Sequence, residues 1–146
     1  ERTSIMLKEQ CPILQFADLG VERGKLVVIE GGSSIPFDIR RVFYIYGSDD
    51  TVVRGCHANR ESEFVLINVA GESKVRIKDG AEEIVVELNK PMMGVYLPRM
   101  IWKEMYDFSP DSVLLVLAST HYDSEEYIRD FEVYLSEINA GGSRKE

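Results

Sequence analysis

The stretch RGCHANRESEF, residues 54–64, gathers side chains that handle protons and anions: Arg54, His57, Asn59 and Glu63. A second group follows in YLPRMIWKEMYDF, where Trp102 and Lys103 stand side by side. The chain has only two histidines, His57 and His121, so groups that ordinarily titrate near neutrality are scarce. Neutral imidazole suits proton transfer at working pH, which makes His57 the candidate general base. Arg54 or Lys103 would stabilise negative charge developing on an oxygen, often the largest single contribution to catalysis. Asn59 cannot relay a proton, but its amide can hold a hydroxyl or a ketone oxygen.

These residues need a β scaffold. Runs rich in Val, Ile, Leu, Phe and Tyr recur about every ten residues between Gly, Asp, Asn and Pro, the rhythm of an antiparallel β protein. Strands are expected at 25–30, 41–47, 63–71, 73–80, 82–88, 94–98, 102–108 and 112–119, with turns at AGE, DGAE, NKP and SPD. In KVRIKDG, Val75 and Ile77 alternate with Lys74, Arg76 and Lys78, so one face is wet. VLLVLA is apolar on both faces and belongs at a sheet centre covered on both sides. The tail reads as a helix from a Ser124 cap, with Tyr127, Ile128, Phe131, Tyr134, Leu135 and Ile138 at helical spacing. The acidic DSEEYIRDFE is expected to be its solvated face, and 139–146 an unstructured tail. Eight or more short strands and one helix imply an all-β jelly roll or small barrel, which holds a small ligand in its mouth.

At 146 residues the chain is expected to be a single domain with its core over about 20–138. Its net charge of −8 disfavours nucleic acid and anionic membrane as partners. No apolar run is long enough for a bilayer, and the N-terminus lacks signal-peptide features, so a cytoplasmic location is the default expectation. Cys11 and Cys56 form neither a disulfide framework nor a metal knuckle and are expected to be reduced thiols. His121 is expected to be exposed or capping. Glu63 is open between a pocket carboxylate and a strand-edge charge, and Trp102, Tyr96, Tyr44 and Phe64 between core packing and a pocket lining.

The two segments resemble the two halves of the cupin pattern, in which positions 57, 59, 63 and 103 would carry His, His, Glu and His around a metal. Here they read His57, Asn59, Glu63 and Lys103. A protonated lysine and a neutral amide are poor ligands for zinc or iron, so no metal is expected.

The resemblance narrows with RVFYIYG, VVRGCHANRESEFVLINVAGESKVRIKDG, VYLPRMIWKEMYDFSPDSVLLVLAS and YDSEEYIRDF. Together, over roughly Gly20 to Tyr134, they are similar to the nucleotide-sugar 3,4-ketoisomerases among the WxcM-like and RmlC-like cupins. That resemblance implies a double-stranded β-helix (jelly roll), a strand-exchanged homodimer, a dTDP-keto-sugar substrate and acid/base chemistry with no cofactor. It implies that dTDP-4-keto-6-deoxyglucose becomes a dTDP-3-keto-6-deoxyhexose, which would feed an aminotransferase for O-antigen, lipopolysaccharide, S-layer or antibiotic sugars. Arg54 and His57 match the family's R-G-x-H-x-H segment, and Asn59 departs from it. Phe43 replaces a usual tyrosine beside Tyr44, and Lys103 stands where the family has a variable basic residue. Arg23 matches a place that faces the sugar and helps set the configuration at C4. The implied assignment is His57, Arg54, Tyr44 and Asn59 as catalytic, and Arg23, Lys103, Glu63 and Trp102 as substrate-binding. Two rival functions are another dTDP-keto-sugar isomerase or epimerase, and a non-catalytic cupin that binds a nucleotide sugar.

Overall fold

Alternating apolar residues between Gly, Asp and Pro turns fold into ten strands: β1 (Ile13–Gln15), β2 (Arg41–Tyr46), β3 (Arg54–Asn59), β4 (Phe64–Ala70), β5 (Ser73–Lys78), β6 (Glu83–Leu88), β7 (Met93–Leu97), β8 (Trp102–Tyr106), β9 (Val113–Ala118) and β10 (Tyr127–Ile128). A short helix α1 (Leu7–Gln10) precedes them and α2 (Phe131–Arg144) closes the chain. The structure, a computed structural model, describes residues 5–144.

The strands form two five-stranded sheets, β1-β7-β4-β9-β2 and β10-β3-β8-β5-β6, and every strand pairing is antiparallel. They face one another across a core built from Phe64, Leu66, Val95, Leu97, Leu114 and Val116 on one side and Val75, Ile77, Leu88 and Met105 on the other. This is the jelly roll expected of the alternation.

The outer face of the first sheet carries Val65, Ile67 and Leu117, covered by Phe16, Ile35 and Phe37 from the chain before β2. β9 is therefore apolar on both sides, as VLLVLA demands. The outer face of the second sheet is covered by α2, whose Phe131, Tyr134, Leu135 and Ile138 meet Trp102, Ala58 and Ile128.

Several expectations differ from the structure. The core reaches beyond the expected 20–138, with Leu7, Cys11 and Phe16 buried in it, and β1 and β3 lie where no strand was expected. Residues 25–30 join neither sheet; Asp18 and Val27 form a single bridge, and the flanking bridges are Val21 to Gly24 and Gly31 to Ile35. The alternation is that of a strand, since Val27 and Ile29 pack inward while Leu26 and Val28 are exposed, but among the described residues no strand lies beside it to build a ladder. The helix begins at Phe131 and not at Ser124. Asp123 caps only a 3₁₀ turn, Ser124–Glu126, because Tyr127 and Ile128 are drawn into pairing with Asn59 and Ala58. Asp130 Oδ1 then accepts from the amides of Glu132 and Val133 at the true start. Finally, the helix continues through 139–144, where an unstructured tail was expected; 145 and 146 lie outside the described residues.

Candidate active site

β3 has to place Arg54 and His57 in one cavity although, three apart on a regular strand, they would face opposite sides. A bulge solves this. The pairing of β3 with β8 shifts between Gly55 and His57, with Gly55 at φ 83° and Cys56 at φ 59°. Only glycine suits position 55, since a Cβ there would lie 3.0 Å from the Lys103 carbonyl oxygen and from Met105 Sδ. The extra residue turns Arg54 and His57 to the same side.

Both then line a cavity of about 140 Å³ between the sheets, with Phe43, Phe64, Lys103 and Tyr127 among its walls. His57 pairs across the sheet with Lys103. The wall beside it is aromatic, with Tyr127 edge-on to the His57 ring at 4.8 Å. Among the described residues His57 Nδ1 is buried without a hydrogen-bond partner. Burial, followed by the charges of Lys103 and Arg129, pulls the imidazole down to about 3. It is neutral at physiological pH, but a far weaker base than its ordinary value implies.

Lys103 is 2 % exposed, and burial brings its ammonium down to about 7, against the opposing charge of Glu126. Its Nζ donates to Asn59 Oδ1 at 3.0 Å and sits 4.8 Å from the Phe64 ring centre. Asn59, fully buried, donates from Nδ2 to Glu126 Oε2 at 2.6 Å. The Glu126 carboxylate also accepts from the Ser62 hydroxyl and from the amides of Glu61 and Ser62. Burial pushes this carboxyl up, but the hydrogen bonds from Ser62, Glu61 and Asn59 outweigh it and hold it below the ordinary carboxylate value.

The expected residues therefore divide. Arg54, His57 and Lys103 share the cavity wall, with Asn59 behind Lys103. Tyr44 does not reach the cavity of its own chain; Phe43 and Ile45 take the inward positions of β2, leaving Tyr44 62 % exposed on the other face. Trp102 points outward for the same reason, because Lys103 and Met105 face in; its ring packs against Phe131 and Tyr134 of α2. Glu63 accepts from the Tyr96 hydroxyl at 2.6 Å and lies outside the cavity lining, away from His57. Arg23 is exposed in the segment before β2. Among the described residues no group of three His, Cys, Asp or Glu side chains could hold a metal ion.

Three residues escaped sequence reasoning. Glu126 belongs to a stretch read as solvated, yet is 5 % exposed. Tyr127, expected on the helix, lines the cavity from β10. Arg41 donates from Nη1 to the Tyr127 hydroxyl at 3.2 Å and lies against the rings of Phe43, Phe64 and Tyr122. Its Nε and Nη2 are buried without partners among the described residues. A guanidinium so placed presents free donors beside the cavity, a fit for an anion. A larger surface cleft of about 470 Å³ is lined by Asp49, Asp50, Glu72, Glu87 and Asp107, a charge that repels phosphate.

The family model described as FdtA: WxcM-like, C-terminal matches residues 9–139. The chain belongs to this family. A TDP-4-oxo-6-deoxy-alpha-D-glucose-3,4-oxoisomerase of Aneurinibacillus thermoaerophilus is 39% identical over 130 residues, covering 87% of this chain and 94% of that protein. The sugar 3,4-ketoisomerase QdtA of Thermoanaerobacterium thermosaccharolyticum, solved in complex with TDP, superimposes with a TM-score of 0.89 at 41% identity, over 92% of this chain and 98% of that one. A mutant of the same enzyme, in complex with TDP-4-keto-6-deoxyglucose, gives 0.87 at 40% identity, over 90% and 95%. A dTDP-6-deoxy-D-glucose-3,5-epimerase from Legionella pneumophila, at 16% identity and a TM-score of 0.72 over 84% of this chain and 73% of that one, is similar to this chain in fold alone.

Proposed function

We propose that this member of the family is a dTDP-4-keto-6-deoxyglucose 3,4-ketoisomerase that makes a dTDP-3-keto-6-deoxyhexose by acid/base enolisation. The observation that carries it is the convergence of Arg54, His57 and Lys103 on the wall of one cavity. The names of the relatives supply the substrate class.

The chemistry fits such a wall. A ketone at C4 acidifies the proton on C3, and its removal gives an enediolate across C3 and C4. Reprotonation at C4 leaves the ketone at C3. One carbon is oxidised as its neighbour is reduced, so the step needs no redox cofactor. Arg54 stabilises the enediolate oxygen, and the apolar walls Phe43, Phe64 and Val116 strengthen that interaction by keeping the local dielectric low.

The cavity accommodates a sugar ring and not a nucleotide, so the thymidine diphosphate lies along its mouth. Arg41, with two unpartnered nitrogens, is the diphosphate contact. A homodimer belongs to the same proposal. Leu26 and Val28 expose apolar side chains on a strand-like segment, and Val42, Tyr44 and Tyr46 do so along the outer face of β2. Exchange of the segment between two copies would cover these and bring Arg23 and Tyr44 to a site of the partner. Neither nucleic acid nor membrane is a partner in this proposal, and the nucleotide-sugar substrate argues for a cytoplasmic enzyme. Turnover of dTDP-4-keto-6-deoxyglucose, with the product identified by NMR, tests the assignment.

A further inference from the structure

A working histidine ordinarily has its second nitrogen held by a carbonyl or a carboxylate, yet among the described residues His57 Nδ1 has no such partner. What meets the imidazole is Tyr127, whose ring makes a T with it at 4.8 Å and 73°. Through its hydroxyl the same tyrosine accepts from Arg41 Nη1 at 3.2 Å.

We propose that Tyr127 is the positioning residue of the site: its ring sets the His57 imidazole, its hydroxyl sets the Arg41 guanidinium, and the two are held in one fixed relation. This deepens the proposed ketoisomerase reaction and rests on it, with His57 taking the carbon-bound proton and Arg41 meeting the diphosphate.

The chain holds Tyr127 firmly enough for the task. β10 is two residues long, and its alternation sends Ile128 into the cluster under α2 and Tyr127 to the cavity. Tyr127 pairs with Asn59, two residues beyond His57 on β3, so both rings ride on one ladder. The residue before it is pinned to the same strand end. The Glu126 carboxylate accepts from Asn59 Nδ2, the Ser62 hydroxyl and the amides of Glu61 and Ser62, and its carbonyl accepts from the Arg60 amide. The buried carboxylate thus anchors the tyrosine that follows it. On other sides the Tyr127 ring meets Arg129, whose guanidinium carbon lies 4.7 Å from the ring centre, and Tyr122 at 5.8 Å.

The hydroxyl selects which edge of Arg41 is free. With Nη1 bound to Tyr127 and the side chain laid against Phe43, Phe64 and Tyr122, the unpartnered nitrogens are Nε and Nη2. They form one edge of the guanidinium, the edge with which Arg60 grips the two carboxylate oxygens of Glu137. Two parallel N–H groups match two oxygens of a phosphate in the same way.

Substitution separates the two halves of the role. Tyr127→Phe keeps the ring and deletes the hydroxyl, so kcat on dTDP-4-keto-6-deoxyglucose should stay within about threefold while dTDP affinity falls about fivefold or more. In an Arg41→Gln background the same change should cost no further affinity, because the hydroxyl acts only through the guanidinium. Tyr127→Leu removes the ring as well, and kcat should fall about thirtyfold or more. The His57 Hδ2 and Hε1 NMR resonances, read without turnover, should stay in place in Tyr127→Phe and move in Tyr127→Leu. A tyrosine that merely fills space would lower the melting temperature without this split. Equal loss of kcat in Tyr127→Phe and Tyr127→Leu, retained kcat in Tyr127→Leu, or unchanged dTDP affinity in Tyr127→Phe would each overturn the positioning role and leave the ketoisomerase assignment standing. Should Tyr127→Leu fail to fold, Tyr127→Phe and its pairing with Arg41→Gln decide the matter. An unmodified chain that binds dTDP but turns nothing over would overturn the ketoisomerase assignment, and the His57 resonances and dTDP affinities would still decide the role of Tyr127.

Discussion

Lys103 Nζ donates to Asn59 Oδ1 at 3.0 Å, joining β8 to β3 below the cavity. Because Asn59 is bound in turn to Glu126, a negative charge is felt by Lys103 through one intervening amide. The position at which the resembling enzymes carry a histidine thus connects a buried cation to a buried anion.

Replacing Glu126 by Gln removes the charge that favours the Lys103 ammonium while conserving shape. The Lys103 midpoint should fall below 7. Titration of the Lys103 ¹³Cε resonance in the variant and in the unmodified chain checks the direction. The fold should lose about 1–3 kcal/mol in urea unfolding, since four donors lose a charged acceptor.

Stability should rise between pH 7 and 9. The unfolded lysine keeps its proton up to about 10.5, whereas the folded one loses it near 7, so the unfolded state binds more protons in that window. The gain is about 2 kcal/mol. Above pH 9 Cys11 opposes it, because its folded thiol is held up to about 12 by burial and loses its proton later than the unfolded one. Below pH 6.5 His57 acts in the other direction to ordinary histidine pairing: the unfolded imidazole takes a proton that the folded one refuses until about 3, so stability falls on acidification. Lys103→Met should flatten the rise between pH 7 and 9 in denaturant melts.

Gly55→Ala should destabilise the fold by about 1–3 kcal/mol and cut turnover further than the loss of stability explains. The added methyl meets the Lys103 carbonyl and Met105, on a backbone of φ 83°. Relief requires β3 to move from β8, which separates Arg54 and His57 from Lys103. Melting temperature and kcat measured together distinguish the two effects.

Leu26→Asp with Val28→Asp should leave the single-chain core intact, because both side chains are exposed in it. In the proposed homodimer they are covered, and two buried charges should shift the protein to monomer. Sedimentation or light scattering across concentration reads the outcome, and an unmodified chain that is already monomeric would contradict the dimer.

Much of the fold was legible because a two-residue period marks half-buried strands directly. Val75 and Ile77 against Lys74 and Arg76, and the two-sided apolar β9, sit where their patterns required. The segment at 25–30 has the same pattern without a ladder, since alternation records which side is buried and not which strand lies alongside. The start of α2 was misplaced because Tyr127 and Ile128 fit a helical period as well as a strand; only pairing with Asn59 and Ala58 decided between them. Within the site, Arg54 and His57 announced themselves by type. That both face one way depends on a bulge, marked in the sequence by Gly55 alone. Trp102 and Tyr44 were placed by side-chain chemistry where the strand phase of their neighbours Lys103 and Phe43 would have turned them outward. Glu126 was hidden because one buried carboxylate among exposed ones has no signature in composition.

The most direct measurement is the NMR spectrum of dTDP-4-keto-6-deoxyglucose incubated with the purified chain in D₂O. The account predicts that the carbonyl carbon moves from C4 to C3, with a proton or deuteron newly bound at C4 and nucleotide and 6-methyl group unchanged. A spectrum in which the ketone remains at C4, whether the sugar is untouched or epimerised at C3 or C5, would contradict it.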